Sequence, residues 1–402
     1  MPANSFLEEQ TFHHGGLRRW YIVAYILFAL MLVVRLSWYP VIVSDYIYFI
    51  RVWFDEMQTH AGLTALAFPF ADYAPLYLYL LKIVSVFPVS SLFSAKTLSF
   101  FFDVGIAFFG YRILKETSSW RMRRDILFLA AAVLLSLPTI MMNSSLWSQS
   151  DSIYTAGVVA SLFFMLIEAP FAAAAAFGFA ISTKIQAIFF APVLIGYLLR
   201  ARTTWKYLAV PPALFFLSVV PAWVAGGPFW YWLFIYVTEV EKYPYLSVSA
   251  QSIFAFVQPF ALSVAATNIF FWSGITLAAL VAFLVVYLMR QAQKLLPQSI
   301  VMISLASVLL IPYLLPRMHE RYFYMADVLS TLYAFFRPSR WFVPVFVVGT
   351  SLMSYMPFLS PQVSFLSWAH VDLRLPAALL VVPLVIVLVD VWRVWQADYA
   401  RP

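Results

Sequence analysis

An all-α fold, a polytopic integral membrane protein of about twelve transmembrane helices (roughly 10–14), is what this 402-residue sequence predicts. Three observations carry the prediction. Hydrophobic residues make up 63% of the chain against 11% charged, and the mean hydropathy is +0.86, more apolar side chain than a water-soluble domain can bury. Apolar runs of about 17–20 residues recur from Trp20 to Val391, each long enough to cross a hydrocarbon core. The runs are continuous, which excludes a membrane β-barrel, whose strands alternate apolar and polar residues over about ten positions. The chain 1–402 reads as a single membrane domain.

The first run, 20–38, follows a polar stretch from Met1 to Leu17 that lacks a small-residue cleavage site, so it reads as its own insertion signal. An extracytoplasmic loop with juxtamembrane helices, 40–96, comes next. Its segment 75–87 is apolar but short, contains Lys82 and lies between prolines, which favours an interfacial or re-entrant helix over a span. Run 97–114 ends at the basic loop 115–124, with Lys115, Arg121, Arg123 and Arg124. Runs 126–142, 152–167, 171–183, 185–199 and 207–225 follow, with 171–183 among the shortest. A second large extracytoplasmic loop, 226–268, precedes 269–289, 299–315, the short 323–336, 341–358 and 375–391.

Placing the N-terminus inside puts most of the 25 lysines and arginines in cytoplasmic loops, as the positive-inside rule requires. Both termini are then cytoplasmic, in a membrane expected to be the bacterial inner membrane. The same orientation carries Asp45, Asp55, Glu56, Asp72, Asp151, Glu239, Glu241, His319, Glu320 and Asp372 to the outer face. The acids took no part in fixing the orientation, so their gathering on one side is a separate result.

The net charge of +7 is scattered over many short loops and forms no stripe for a nucleic acid. With no cysteine, disulfides, thiolate catalysis and Cys-ligated metals are excluded. Walker, GxGxxG and GxSxG motifs are absent, as is any HExxH-like histidine spacing, so no metal, no nucleotide and no cofactor is expected. Broken spans do not recur at matching positions in two halves, which weakens a secondary-transporter reading.

Ionisable residues kept against a membrane mark a site by default. Four polar breaks between apolar runs hold them: Ser44-Asp45-Tyr46, Ala71-Asp72-Tyr73, Trp147-Ser148-Gln149-Ser150-Asp151 and His319-Glu320-Arg321-Tyr322. Asp45, a few residues past the first run, is either a general base with a raised pKa or the N-cap of a helix over 47–57. Asp72 and Asp151 are either helix N-caps or further members of the site, and Trp147 is also a natural interfacial anchor. Lys184 interrupts the apolar stretch 171–199, either snorkelling or offering an ammonium to an anionic head group. Arg317 and Arg321 with His319 flank Glu320, either as a solvated turn or as a phosphate clamp.

An Asp just after the first span, Asp72-Tyr73-Ala74-Pro75 opening a juxtamembrane helix, Trp147-x-Gln149-x-Asp151, Lys184 at a hairpin tip and His319-Glu320-Arg321-Tyr322 together resemble the GT-C superfamily of membrane glycosyltransferases. The likeness covers roughly 20–327 and is strongest to bacterial and archaeal relatives of the second mannosyltransferase of GPI-anchor synthesis, more distantly to dolichyl-phosphate-glucose glucosyltransferases. It departs at Ser148, where relatives have Gly, and in having no large soluble segment after the last run, where many relatives carry an acceptor-binding module. The resemblance implies an enzyme that moves a sugar, with inversion, from a polyprenyl-phosphate donor to a glycan or glycolipid acceptor at the extracytoplasmic face. Asp45 would be the base. Lys184, Arg321 and His319 would hold the donor phosphate, and Tyr46, Asp72, Tyr73, Trp147, Gln149, Asp151, Glu320 and Tyr322 would line the substrate site, with membrane lipids around the polyprenyl tail. A transporter or flippase, which would concentrate its charges near the midplane, and a non-catalytic assembly subunit are the competing readings.

Overall fold

The computed structural model describes residues 14–117, 122–241, 245–292 and 296–399. The polar stretch up to His13 and the basic residues Arg121, Lys242, Lys294 and Arg401 lie outside the described residues. The chain is nearly all helix, 77% against 1% strand.

Helix α1 (His14–Trp38) ends where Pro40 stops it, and the next helix, α2 (Arg51–Thr59), is entered through a π-helical turn over Tyr46–Ile50. Pro75, whose missing N–H suits a first helical turn, starts α3 (Pro75–Val84), ten residues and too short to span. The long α4 (Ser91–Thr117) returns across the bundle. After it, α5 (Arg124–Leu135) and α6 (Pro138–Met141) form one predicted run bent by 47°. The bend falls where Leu137 must leave the helical region ahead of Pro138.

Buried along almost its whole length, α7 (Asp151–Leu166) packs on α4 and on α8 (Pro170–Thr183), where Gly157 lets the two backbones approach: a Cβ there would sit 3.0 Å from the Ala176 carbonyl. Lys184 is extended and separates α8 from a 3₁₀ turn, Ile185–Phe190, that leads into α9 (Ala191–Leu199). Beyond α10 (Val210–Val224), the second loop contains α11 (Phe229–Leu233), α12 (Ile235–Glu241) and a two-residue strand, β1 (Ser247–Val248). Ser263 caps α13 (Val264–Gln291) by accepting from the Ala266 N–H at 3.2 Å, so this helix starts five residues before the predicted 269. Then come α14 (Pro297–Leu314), β2 (Met318–His319), α15 (Tyr324–Phe336), α16 (Phe342–Leu359) and α17 (Arg374–Tyr399).

Every predicted run is helical, but the described residues hold seven helices long and apolar enough to cross a membrane, or eight with the bent α5–α6 pair as one span. The helices α7, α8, α9 and α15 fall short of that length. Proline and Lys184 divide the stretch from α8 to α9, while α7 and α15 are enclosed by neighbours on all sides and so are apolar all round without being long.

A buried ion pair fastens this bundle. The Arg35 guanidinium of α1 meets the Asp103 carboxylate of α4 at 2.8 Å, both side chains almost wholly buried. It also donates to Ser144 at 2.7 Å, Ser145 at 2.9 Å and the Leu135 carbonyl at 3.0 Å, the last of which is released from helix pairing by the α5–α6 bend. Tyr324 donates to the other Asp103 oxygen at 3.1 Å. The two charges are thus paired and most of their other positions are filled, Arg35 Nε being the one left without a partner, and pairing of this kind is the condition for keeping ions in an apolar interior.

Candidate active site

Asp45 is positioned by its neighbours before it meets any partner. The Lys96 ammonium, buried at the start of α4, donates to the carbonyls of Trp38, Tyr39 and Val41 at 2.9, 3.1 and 2.7 Å. That caps the C-terminal end of α1 and fixes the turn that follows it. Lys96 is therefore a buried helix cap. The Ser44 N–H then donates to Gln362 Oε1 at 2.7 Å, anchoring the next residue to the end of α16.

The capping reading of Asp45 fails: it stands at the N-cap position with helical dihedrals and makes no side-chain cap bond. Its carboxylate turns instead toward a second polar break. Trp147 Nε1 donates to Asp45 Oδ2 at 3.0 Å and Gln149 Nε2 donates to the same oxygen at 2.5 Å. Both donors reach one atom because Ser148 between them has φ 66°, a left-handed conformation that Gly adopts without strain. Ser148 thus keeps the backbone of a glycine at a cost of about 1–2 kcal/mol. Arg321 Nη2 approaches Asp45 Oδ2 to 3.8 Å. No described side chain bonds Oδ1, and the Asp45 side chain remains 15% exposed.

Asp151 does not cap its helix either. It is the first residue of α7, fully buried, with Oδ1 accepting from Lys184 Nζ at 2.5 Å and Oδ2 from Asn143 Nδ2 at 2.7 Å. Lys184 neither snorkels nor faces open solvent. Its ammonium lies against Asp151, 5.1 Å from the Tyr73 ring centre and 5.9 Å from that of Tyr154. This committed ion pair removes Lys184 from the front rank of phosphate ligands.

Arg321 differs. Its Nε donates to Glu320 Oε1 at 2.9 Å, and its guanidinium carbon lies 4.9 Å from the centre of the Trp147 ring, which Phe358 stacks at 4.7 Å. Its Nη1 is buried with no hydrogen-bond partner. A buried N–H donor without an acceptor is costly, and this one belongs to the same guanidinium that faces Asp45, where an incoming acceptor would satisfy it. Burial works against the charge of Arg321, but the carboxylates of Glu320, Asp151 and Asp45 more than offset it and keep the guanidinium protonated.

The segment carrying Arg321 is held by a parallel pairing of β1 with β2, Ser247 opposite Met318 and Val248 opposite His319. Arg317, at φ 62°, donates its N–H to the Leu246 carbonyl at 2.8 Å, and its guanidinium lies over Phe271 of α13 at 4.7 Å, away from the predicted clamp. His319 Nδ1 lies 3.8 Å from Glu320 Oε2. Burial, then Arg321 and Lys184, push its pKa down to about 3, so at neutral pH it is an uncharged imidazole and not the third cation of a phosphate clamp.

Other predicted residues are sorted by the same geometry. Tyr73 joins the site through Lys184 and packs on Trp53 at 4.9 Å. Asp72 is partly buried beside it, three residues before Pro75, while the cap position of α3 belongs to Ala74. Tyr46 sends its hydroxyl to Ser91 at 2.7 Å, a tie to the start of α4. Tyr322 packs between His319 at 5.2 Å and Phe189 at 6.3 Å, with Gln186 on its hydroxyl. Three contributors carry no sequence signal: Asn143, on a π-helical turn, Gln362, far along the chain, and Tyr355, edge-on to Trp147 at 5.4 Å. Each acts through a neighbour that only the fold supplies.

Asp45, Asp151 and Glu320 oppose Lys184 and Arg321, an excess of one carboxylate when all are ionised and His319 is neutral. Burial raises the Asp45 pKa above its usual 3.8, the Arg321 charge opposes that rise, and Glu320 adds to it. Among the described residues no group of His, Asp and Glu could hold a metal ion. Two apolar grooves, of about 450 and 530 Å³, lie elsewhere on the bundle and contain none of these polar residues. Comparison with protein families and with curated proteins gave no match.

Proposed function

We propose that this chain is a membrane-embedded glycosyltransferase that moves a sugar, with inversion, from a polyprenyl-phosphate donor to a hydroxyl of a glycan or glycolipid acceptor. Asp45 is the general base and Arg321 the phosphate ligand. The observation that carries the reading is a partly exposed carboxylate with one uncommitted oxygen, 3.8 Å from a guanidinium whose Nη1 is buried and unpaired. A carboxylate oxygen free to take the proton of an acceptor hydroxyl, near a guanidinium N–H free to take the charge of a leaving phosphate, supplies the two functions that this transfer needs.

In the transfer the acceptor O–H gives its proton to Asp45 Oδ1 as its oxygen bonds to the anomeric carbon. The bond from that carbon to the phosphate oxygen breaks, and the electron pair leaves with the polyprenyl phosphate, whose growing charge Arg321 Nη1 receives. Trp147 and Gln149 hold Oδ2, so the carboxylate keeps its aim while Oδ1 works. His319, neutral, stands beside Glu320 without charge. The Lys184–Asp151 pair supports the floor of the site. The sequence orientation, with this face extracytoplasmic, belongs to the same proposal.

Donor binding and basicity are coupled in this scheme. Arg321 holds the Asp45 pKa down, and a phosphate that captures Arg321 weakens that hold and strengthens the base. The rate is present above the Asp45 pKa and is lost as pH falls through it. The acid limb of kcat, which reports the bound complex, should therefore lie at higher pH than that of kcat/KM, which reports the free enzyme. Coincident limbs would separate Arg321 from the phosphate. Arg321→Lys should lower kcat more than it raises donor KM, by at least about tenfold in kcat/KM, because a single ammonium cannot keep the Glu320 bond and hold a second N–H in the Nη1 position.

Orientation has its own check. A cysteine at exposed Gln58 should react with a membrane-impermeant thiol reagent from outside, and one at exposed Arg202 should not. The native chain has no cysteine, so the background is clean. Labelling of Arg202→Cys alone would invert the topology and remove the extracytoplasmic assignment.

A further inference from the structure

The larger apolar groove, about 530 Å³, lies between α5, the end of α15 and the start of α16, with Ile126, Val133 and Leu137 on one wall and Trp341, Val345 and Val348 on the other. From Ile126 to Leu137 it follows the chain for about 16 Å, close to the depth of one leaflet of a roughly 30 Å hydrocarbon core. Its rim is basic on both walls. Arg124 is exposed two residues before Ile126, and Arg337 and Arg340 bracket Pro338, which itself lines the groove.

The nearby acids do not cancel this charge. Asp125 is taken by Arg123, at 2.6 Å. Asp390 of α17 receives Arg340 through two nitrogens at 2.8 Å and Arg337 at 3.0 Å, so one carboxylate faces two guanidiniums. One positive charge is left there and Arg124 adds a second. Trp341, 66% exposed beside the rim, is the residue type that settles at the level of lipid head groups.

We infer that this groove is a binding site for an anionic phospholipid, its phosphate at Arg124, Arg337 and Arg340 and one acyl chain between α5 and α16. An apolar slot as deep as a leaflet, with a net positive rim, matches a lipid whose charge sits at the end of its chains. The site is distinct from the Asp45 centre. Arg321 stands just before α15 begins and Arg337 just after it ends, at the opposite end of that helix. The inference rests on the bundle being membrane-embedded, but not on sugar transfer.

The test is native mass spectrometry of the purified full chain in detergent, titrated with phosphatidylglycerol or phosphatidylcholine of identical acyl chains. Phosphatidylglycerol should bind more tightly. Arg124→Gln with Arg337→Gln, which leaves the Arg340–Asp390 pair intact, should weaken it roughly fivefold per arginine, about 25-fold together, and leave phosphatidylcholine unchanged. Val345→Trp, at a position 60% exposed, should weaken both lipids by filling the slot without altering charge. A photoactivatable acyl-chain phosphatidylglycerol should cross-link within 331–348. Equal binding of the two lipids, an unaffected arginine variant, or cross-links confined to other helices would overturn the inference. Failure of sugar transfer alone leaves every one of these readouts standing.

Discussion

Asp45→Asn is expected to lower sugar transfer by about 10²- to 10⁴-fold while the protein remains folded, since general-base catalysis is lost and little else changes. The amide oxygen of Asn can still accept from Trp147 and Gln149, which now hold Oδ2. Stability should hold or rise, and the sign follows from the pKa. Burial raises the folded-state pKa of Asp45 above its usual 3.8, so the fold favours the protonated carboxyl. Its stabilising contribution is complete below the unfolded-state pKa and is lost as pH rises through the folded-state one, leaving ionised Asp45 unfavourable at neutral pH. A side chain that never ionises escapes that loss. Single-turnover transfer with a radiolabelled polyprenyl-phosphate sugar and thermal unfolding of the same preparations check both halves. More than about a tenth of the original turnover would take the base role from Asp45.

Lys184→Met should destabilise the protein by about 3–5 kcal/mol, because it strands the Asp151 carboxylate in the interior with only Asn143 to hold it. The double variant Lys184→Met with Asp151→Asn should recover most of that loss, since both charges are then gone. Thermal unfolding in detergent reads the cycle, and a double variant no more stable than the single would mean that the pair is not the reason Lys184 is buried. Kinetics of the recovered double variant decide a second question. Transfer within about tenfold of the original would leave the donor phosphate to Arg321, whereas a loss as large as that of Asp45→Asn would return Lys184 to the chemistry.

Helical character and the four polar breaks were legible because each has a local cause. Continuous apolar runs make helices wherever backbone groups must bond within their own segment, and prolines at 75, 138 and 170 start helices for reasons confined to one ring. The breaks at Asp45, Tyr73, Trp147–Asp151 and His319–Tyr322 do meet in space, as a one-sided distribution of acids required. Length was less legible. The runs that became α7, α8, α9 and α15 are apolar like true spans, and apolarity does not distinguish a helix wrapped by lipid from one wrapped by protein.

By itself, then, the sequence determined an all-helical apolar bundle, the residues able to do acid–base or anion chemistry, and their shared end. Which of those residues are spoken for was decided by the tertiary structure. Asp45 and Asp151 are the same residue type, each flanking an apolar helix, and either could have been a helix cap. The fold gives Asp151 an ammonium and an amide, while it gives Asp45 donors on one oxygen only. Lys184 and Arg321 were likewise equal as cations until both were paired, Lys184 with Asp151 and Arg321 with Glu320, and Arg321 alone kept a buried unpaired nitrogen facing the site. The reason is physical: a charge in a low-dielectric interior is defined by its nearest partner, and Lys184 lies 33 positions from Asp151 while Trp147 and Gln149 lie 102 and 104 positions from Asp45.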